Sequence, residues 1–189
     1  MNNLLQGVSI YLIGMMGAGK STIGRLLAEK MSYGFVDTDD LIVKATSKNI
    51  SQIFAEEGEE AFRQLESDIL QELCAYTKLT IATGGGIVLR TLNWSYLHHG
   101  LIVWLNAPVD LLYNRLAQDN TRPLLNDVDP KGKLQSLLEE RKALYAQADL
   151  RIDISEQETP EEVTNKIIAA IPSVLKQSSV REIPNNQDN

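Results

Sequence analysis

A single cysteine, Cys74, rules out an internal disulfide in this 189-residue chain, and it falls inside an apolar helical pattern that reads as a buried, inert thiol. Histidine is almost as scarce. His98 and His99 precede Gly100 near an expected helix end, and no cluster of Cys or His has metal-ligand spacing. Basic residues are in deficit: 18 Lys and Arg against 25 Asp and Glu give a net charge of −7. The averaged surface field therefore repels nucleic acid and anionic membranes, so an anionic ligand needs a locally basic pocket. Nothing approaches the roughly 20 consecutive apolar residues of a membrane span. The start, Met1 to Gly7, lacks a basic stretch, and the apolar run after it stops at Gly14. These absences lead us to expect a soluble, cytoplasmic protein with no membrane or nucleic-acid partner. Trp94 and Trp104 lie in apolar patterns and are expected in the core.

What is present is a strict alternation of short apolar runs and longer segments of helical period. Strands are expected at Val8 to Ile13, Gly34 to Asp37, Leu79 to Thr83, Leu101 to Leu105 and Leu150 to Ile154. Such alternation predicts an α/β fold with a parallel sheet. From Gly58 to Tyr76, Phe62, Leu65, Ile69 and Leu73 recur at helical spacing, predicting a stripe that packs on the sheet with Glu59, Arg63 and Glu66 beside it. Between 118 and 132 the pattern gives way to polar, Pro-containing sequence, a candidate lid. One domain over residues 1–175 is expected. Residues 176–189, rich in Gln, Ser and Asn, are expected to form a disordered tail.

Gly14-Met15-Met16-Gly17-Ala18-Gly19-Lys20-Ser21 fits the pattern G-x-x-x-x-G-K-S/T, after an apolar strand and before an amphipathic helix expected from Thr22 to Met31. The glycines let backbone N–H groups and the positive helix end converge on phosphate oxygens. Lys20 adds a point charge, and the Ser21 hydroxyl is suited to a Mg²⁺ ion that keeps several waters. This loop predicts nucleotide binding and leaves the acceptor open.

Four further features compete with plainer explanations. Asp37-Thr38-Asp39-Asp40 ends the second strand, at the edge where open α/β sheets bind ligands, yet Asp and Thr there would equally cap a helix. Arg63 alone reads as one end of a Glu59–Arg63 helix pair. Thr83-Gly84-Gly85-Gly86 gives up backbone entropy without packing anything, which suits either a turn or a close-approaching ligand. Arg122 in the lid and Arg141 in a helix expected from Lys133 to Ala148 could each be a solvated charge.

Together, in order and spacing, Gly14 to Thr22, Asp37-Thr38-Asp39, Phe62-Arg63, Gly84-Gly85-Gly86, Arg122-Pro123-Leu124-Leu125 and Arg141 resemble the shikimate kinase family, over about residues 8–172. The resemblance implies a three-layer αβα P-loop fold of the nucleoside monophosphate kinase type, with a five-stranded parallel sheet, a lid and a substrate-binding helical region around Leu41 to Phe62. It implies transfer of the γ-phosphoryl of ATP to shikimate, with Mg²⁺, by a monomer of the aromatic amino acid route. ATP would meet Gly17, Ala18, Gly19, Lys20, Ser21 and Thr22, with Arg115 and Pro160 beside the adenine. Arg122 would join Lys20 on the transferring group. Asp39 would bind the ring hydroxyls and serve as base, Arg63 and Arg141 would pair with the carboxylate, and Gly85 and Gly86 would offer backbone N–H groups. Ser21 and Asp37 would serve the metal, Asp37 through water. The rivals are a gluconate-type or nucleotide kinase on the same scaffold, and a nucleotide-binding sensor without turnover.

Overall fold

The structure, a computed structural model, describes residues 5–117 and 129–178. Five strands, β1 (Ile10–Ile13), β2 (Gly34–Asp37), β3 (Leu79–Ala82), β4 (Leu101–Asn106) and β5 (Leu150–Asp153), form one parallel sheet in the order β2-β3-β1-β4-β5. The central strands are apolar throughout because helices cover both faces, and Ile10, Leu12, Ile13, Ile102 and Val103 are fully buried. Each expected strand is found within two residues of its expected ends. The helices are α1 (Lys20–Met31), α2 (Thr38–Thr46), α3 (Ile50–Glu56), α4 (Gly58–Leu73), α5 (Thr91–Leu97), α6 (Val109–Leu116), α7 (Pro130–Tyr145) and α8 (Pro160–Ser178). Trp94 and Trp104 are buried as expected, and His98 caps α5.

Four expectations need correcting. The region taken as lid to residue 132 stops sooner, because Pro130 opens α7 and Asp129 caps it, accepting the Gly132 N–H at 2.9 Å. Residues 176–178, expected in the tail, belong to α8. Residues 118–128, including Arg122, and residues 179–189 lie outside the described residues. Cys74 is half-buried at the C-terminal cap of α4 rather than within its core face.

The fourth correction concerns the stripe on α4. Phe62 joins Ile42 and Ile53 in a small cluster of its own, with Leu65 and Ile69 packed against it, while Leu70 and Leu73 enter the main core. Helix α4 thus has two buried faces. One enters the main core, and the other covers α2 and α3. Glu66, expected at the edge of the stripe, lies on a buried face with no exposed surface.

The two cores differ in size, and this sets a difference in local stability. Ile53→Ala removes a fully buried side chain from the smaller one, at a cost of about 2–5 kcal/mol. Hydrogen exchange is expected to accelerate across α2 and α3 while β1 and β4 keep their protection; uniform acceleration would mean that the two clusters unfold as one.

Candidate active site

The P-loop wraps tightly after β1. Gly14 has φ +139°, and a Cβ there would press on the Leu105 carbonyl of β4, so both conformation and packing demand glycine. Lys20, opening α1, donates to the Gly14 and Met15 carbonyls at 2.8 and 2.9 Å, which lays its ammonium across the loop. Arg115, from the last turn of α6, donates to the Gly17 and Ala18 carbonyls at 3.2 and 3.3 Å. Ala18 is buried beneath the loop. A cleft of about 350 Å³ follows, lined among others by Gly17, Gly19, Lys20, Ser21, Thr22, Asp37, Asp39, Arg115 and Pro160. Pro160 begins α8 behind a capping box in which Thr159 and Glu162 satisfy each other's backbone N–H groups. This cleft collects the residues expected around ATP, apart from Arg122 and the buried Ala18.

Asp37 bears out the helix-cap reading of its motif and also holds Ser21. It caps α2 by accepting the Asp39 N–H at 3.0 Å, and it accepts the Ser21 hydroxyl at 2.6 Å. Two adjoining oxygen ligands in the cleft suit a hard cation that takes its other ligands from water and phosphate. The fit to Mg²⁺ is therefore good, and no group of three or more Cys, His, Asp or Glu with metal-binding geometry occurs among the described residues.

Beyond the cleft, the ends of β2 and β3 are stitched side by side. The Gly84 N–H donates to the buried Thr38 hydroxyl at 3.1 Å, and the Thr83 hydroxyl donates to Leu12 of β1 at 3.0 Å. The N–H groups of Gly85 and Gly86 make no such bond among the described residues. Arg63 reaches this strip from α4. It donates to Glu66 at 2.6 Å and to Glu59 at 2.9 Å, so the simple helix pair exists alongside a buried one. Its side chain is only 12% exposed. A Cβ at Gly86 would collide with its guanidinium, and one at Gly84 with the Glu66 carboxylate. Gly85 is under no such pressure, meeting only ordinary contacts at 3.4 Å and beyond. From the opposite side Arg141 of α7 is buried, against the surface charge that its sequence allowed, and its Nη1 lies 3.3 Å from the Gly85 carbonyl.

Glu66 is the residue that sequence reasoning missed. Burial pushes its carboxyl above the ordinary glutamate range, Arg63 pulls it back, and Asp39 adds a further upward push. Its Oε1 has no hydrogen-bond partner, and neither has Arg141 Nε. Two buried polar atoms of opposite preference thus stand unsatisfied beside Gly84–Gly86, an exception to the usual pairing of buried polar groups. Burial also works against the charge on Arg63, but Glu66 and Glu59 outweigh it and raise its pKa.

The sign of the Glu66 shift gives a stability test. Below the ordinary glutamate pKa it is protonated in both states; as pH rises through its raised folded value, charging it costs the folded form alone. Glu66→Gln removes that loss. Relative to wild type, the variant should gain stability as pH rises above about 4, read as a difference in urea midpoints. A pH-independent difference would mean that Arg63 cancels the burial penalty entirely.

Comparison with known proteins fits this geometry. The family model for shikimate kinase matches residues 16–172. A shikimate kinase from Nostoc sp. is 67% identical over 179 residues, covering 95% of this chain and 99% of its relative. Among solved structures, a shikimate kinase from Acinetobacter baumannii in complex with shikimate superposes with TM-score 0.84 at 37% identity, covering 95% of this chain and 98% of its own. A gluconokinase from Sinorhizobium meliloti shares the fold alone, with TM-score 0.62 at 17% identity. With its five-stranded parallel sheet, its P-loop and a glycine strip flanked by arginines, this chain belongs to the shikimate kinase family.

Proposed function

We propose that the chain moves the γ-phosphoryl of ATP to the 3-hydroxyl of shikimate, giving ADP and shikimate 3-phosphate, with the labour divided as follows. The observation that carries the assignment is the approach of Arg63 and Arg141 to one glycine strip, next to a P-loop that holds Lys20 and Ser21. A planar carboxylate matches a guanidinium fork in two bonds, so two arginines on different helices fix both the charge and the tilt of a ring acid. The Gly85 and Gly86 N–H groups supply further donors.

Asp39, at the first turn of α2, faces the cleft from the acceptor side. In this reading it accepts a hydrogen bond from the ring hydroxyl and aims the oxygen at the γ-phosphorus. The new P–O bond forms as the bond to the bridging oxygen of ADP breaks, and the hydroxyl proton leaves toward the Asp39 carboxylate. Because the transition state is loose, the aim matters more than early proton removal. Lys20 leaves the Gly14 and Met15 carbonyls for phosphate oxygens and, with Arg122, neutralises charge on the transferring group. Ser21, and Asp37 through water, would hold Mg²⁺, which when bound would neutralise charge on the phosphates. Arg115 and Pro160 flank the adenine. ATP is a cytoplasmic substrate, and the proposal locates a monomeric enzyme there.

The decisive assay is ADP formation from Mg²⁺-ATP with and without shikimate, beside gluconate and nucleoside monophosphates. A rise confined to shikimate is expected; a rise with another acceptor, or with none, sinks the reading. In the same assay Asp39→Asn should lower kcat by about 10² or more while ATP affinity stays within about twofold of wild type. Loss of both together would remove Asp39 from the acceptor side.

A further inference from the structure

One buried polar group has no part in the chemistry above. Tyr145, in the last turn of α7, has no exposed surface, and its ring stacks on Trp104 with centroids 5.8 Å apart. Phenylalanine would fill the same space without a polar atom to satisfy. The hydroxyl is nonetheless fully engaged: it donates to the Gly85 carbonyl at 2.6 Å and lies 3.6 Å from the Met15 sulfur of the P-loop. Burial raises its pKa to about 12, so it remains a neutral donor.

We propose that Tyr145 is the positioning residue of the acceptor site, clamping the Gly85 carbonyl so that the Gly86 N–H keeps a fixed aim and the Arg141 guanidinium keeps donors free for the substrate. The peptide between Gly85 and Gly86 is planar and trans, so its C=O and N–H point in opposite directions. Holding the carbonyl therefore aims the N–H of Gly86 the other way. The need is real because three glycines in succession have no side chains to fix their peptide planes. Arg141 stands one turn earlier on the same helix, and its own contact with the Gly85 carbonyl is long, at 3.3 Å. With the phenol as the stronger donor, the guanidinium keeps its hydrogen-bonding capacity for the ligand. Without it, Arg141 becomes the sole donor to a buried carbonyl and is drawn onto it, away from the substrate.

The inference rests on the assignment of Gly86 and Arg141 to the acceptor carboxylate, and the test separates the two. Steady-state kinetics of the full chain, varying shikimate and ATP in turn, are compared for Tyr145→Phe, Trp104→Phe and Arg141→Lys. Tyr145→Phe is expected to raise KM for shikimate about tenfold, with KM for ATP within about twofold and kcat within about threefold. Trp104→Phe keeps the hydroxyl but loses ring contact; it should lower the melting temperature and leave both KM values within about twofold of wild type. A shikimate KM unchanged in Tyr145→Phe but raised in Arg141→Lys would overturn the positioning role and leave the acceptor site standing. No change in Arg141→Lys would overturn the acceptor assignment itself. If Tyr145→Phe raised both KM values in step with a lowered melting temperature, its role would be packing alone, and the proposal would fall.

Discussion

Arg63 and Arg141 must stay charged while largely withdrawn from water, and the side-chain-free strip Gly84–Gly86 is what lets them do so in the same place. Removing a cation from water costs several kcal/mol unless partners replace the lost hydration. Arg63 receives Glu66 and Glu59, and Glu66 can be buried only because Arg63 is beside it. Both groups occupy volume that a Cβ on Gly84 or Gly86 would claim. Arg141 makes no ion pair among the described residues, keeps an unsatisfied Nε, and donates to a backbone carbonyl. Arg141 is thus the less fully compensated of the two cations.

The strand order explains why this strip adjoins the phosphate loop. Because β3 lies between β2 and β1, its C-terminal end has Asp37 and Thr38 on one side and Leu12 to Gly14 on the other. Thr38 holds Gly84, Thr83 holds β1, and Gly85 packs along the P-loop backbone near Gly14 and Met16. The P-loop and the glycine strip are therefore two sides of one strand end, within reach of shared backbone. A shift in the P-loop would be felt by the acceptor strip through contacts of van der Waals length.

How far this was legible in the sequence depended on whether the signal was local. The P-loop was readable because its glycines answer a conformational demand met within a few residues, and β2 was read to the residue because Gly34 and the Asp-Thr-Asp step bound it on both sides. Arg63 was visible through its motif, but Glu66 was not. On a helical projection Glu66 sits beside the apolar stripe like any solvated glutamate. Its burial comes from the Gly84–Gly86 loop closing over it, a contact made across the fold. The misread stripe on α4 has the same origin, since one amphipathic pattern cannot reveal that two different cores claim adjacent faces. At Asp129-Pro130 the error was local: a dipeptide that reads as a turn is also a helix cap followed by its preferred first residue, and only the apolar register of α7 decides between them.

The division into two cores bears on how the site can open without losing its geometry. Asp39 stands in the first turn of α2, tied through Asp37 and Thr38 to the ends of β2 and β3, and Arg63 is fixed by Glu66 and Gly86. The parts that depend on the smaller cluster are the far end of α2, through Ile42, and α3, through Ile53. Local unfolding of that cluster costs less than unfolding of the sheet, so α3 and the end of α2 can loosen first. None of the groups assigned to the acceptor lies in them. Access and alignment are thereby separated: the segment free to move carries no reacting group, and the groups that must hold their aim are anchored to the sheet.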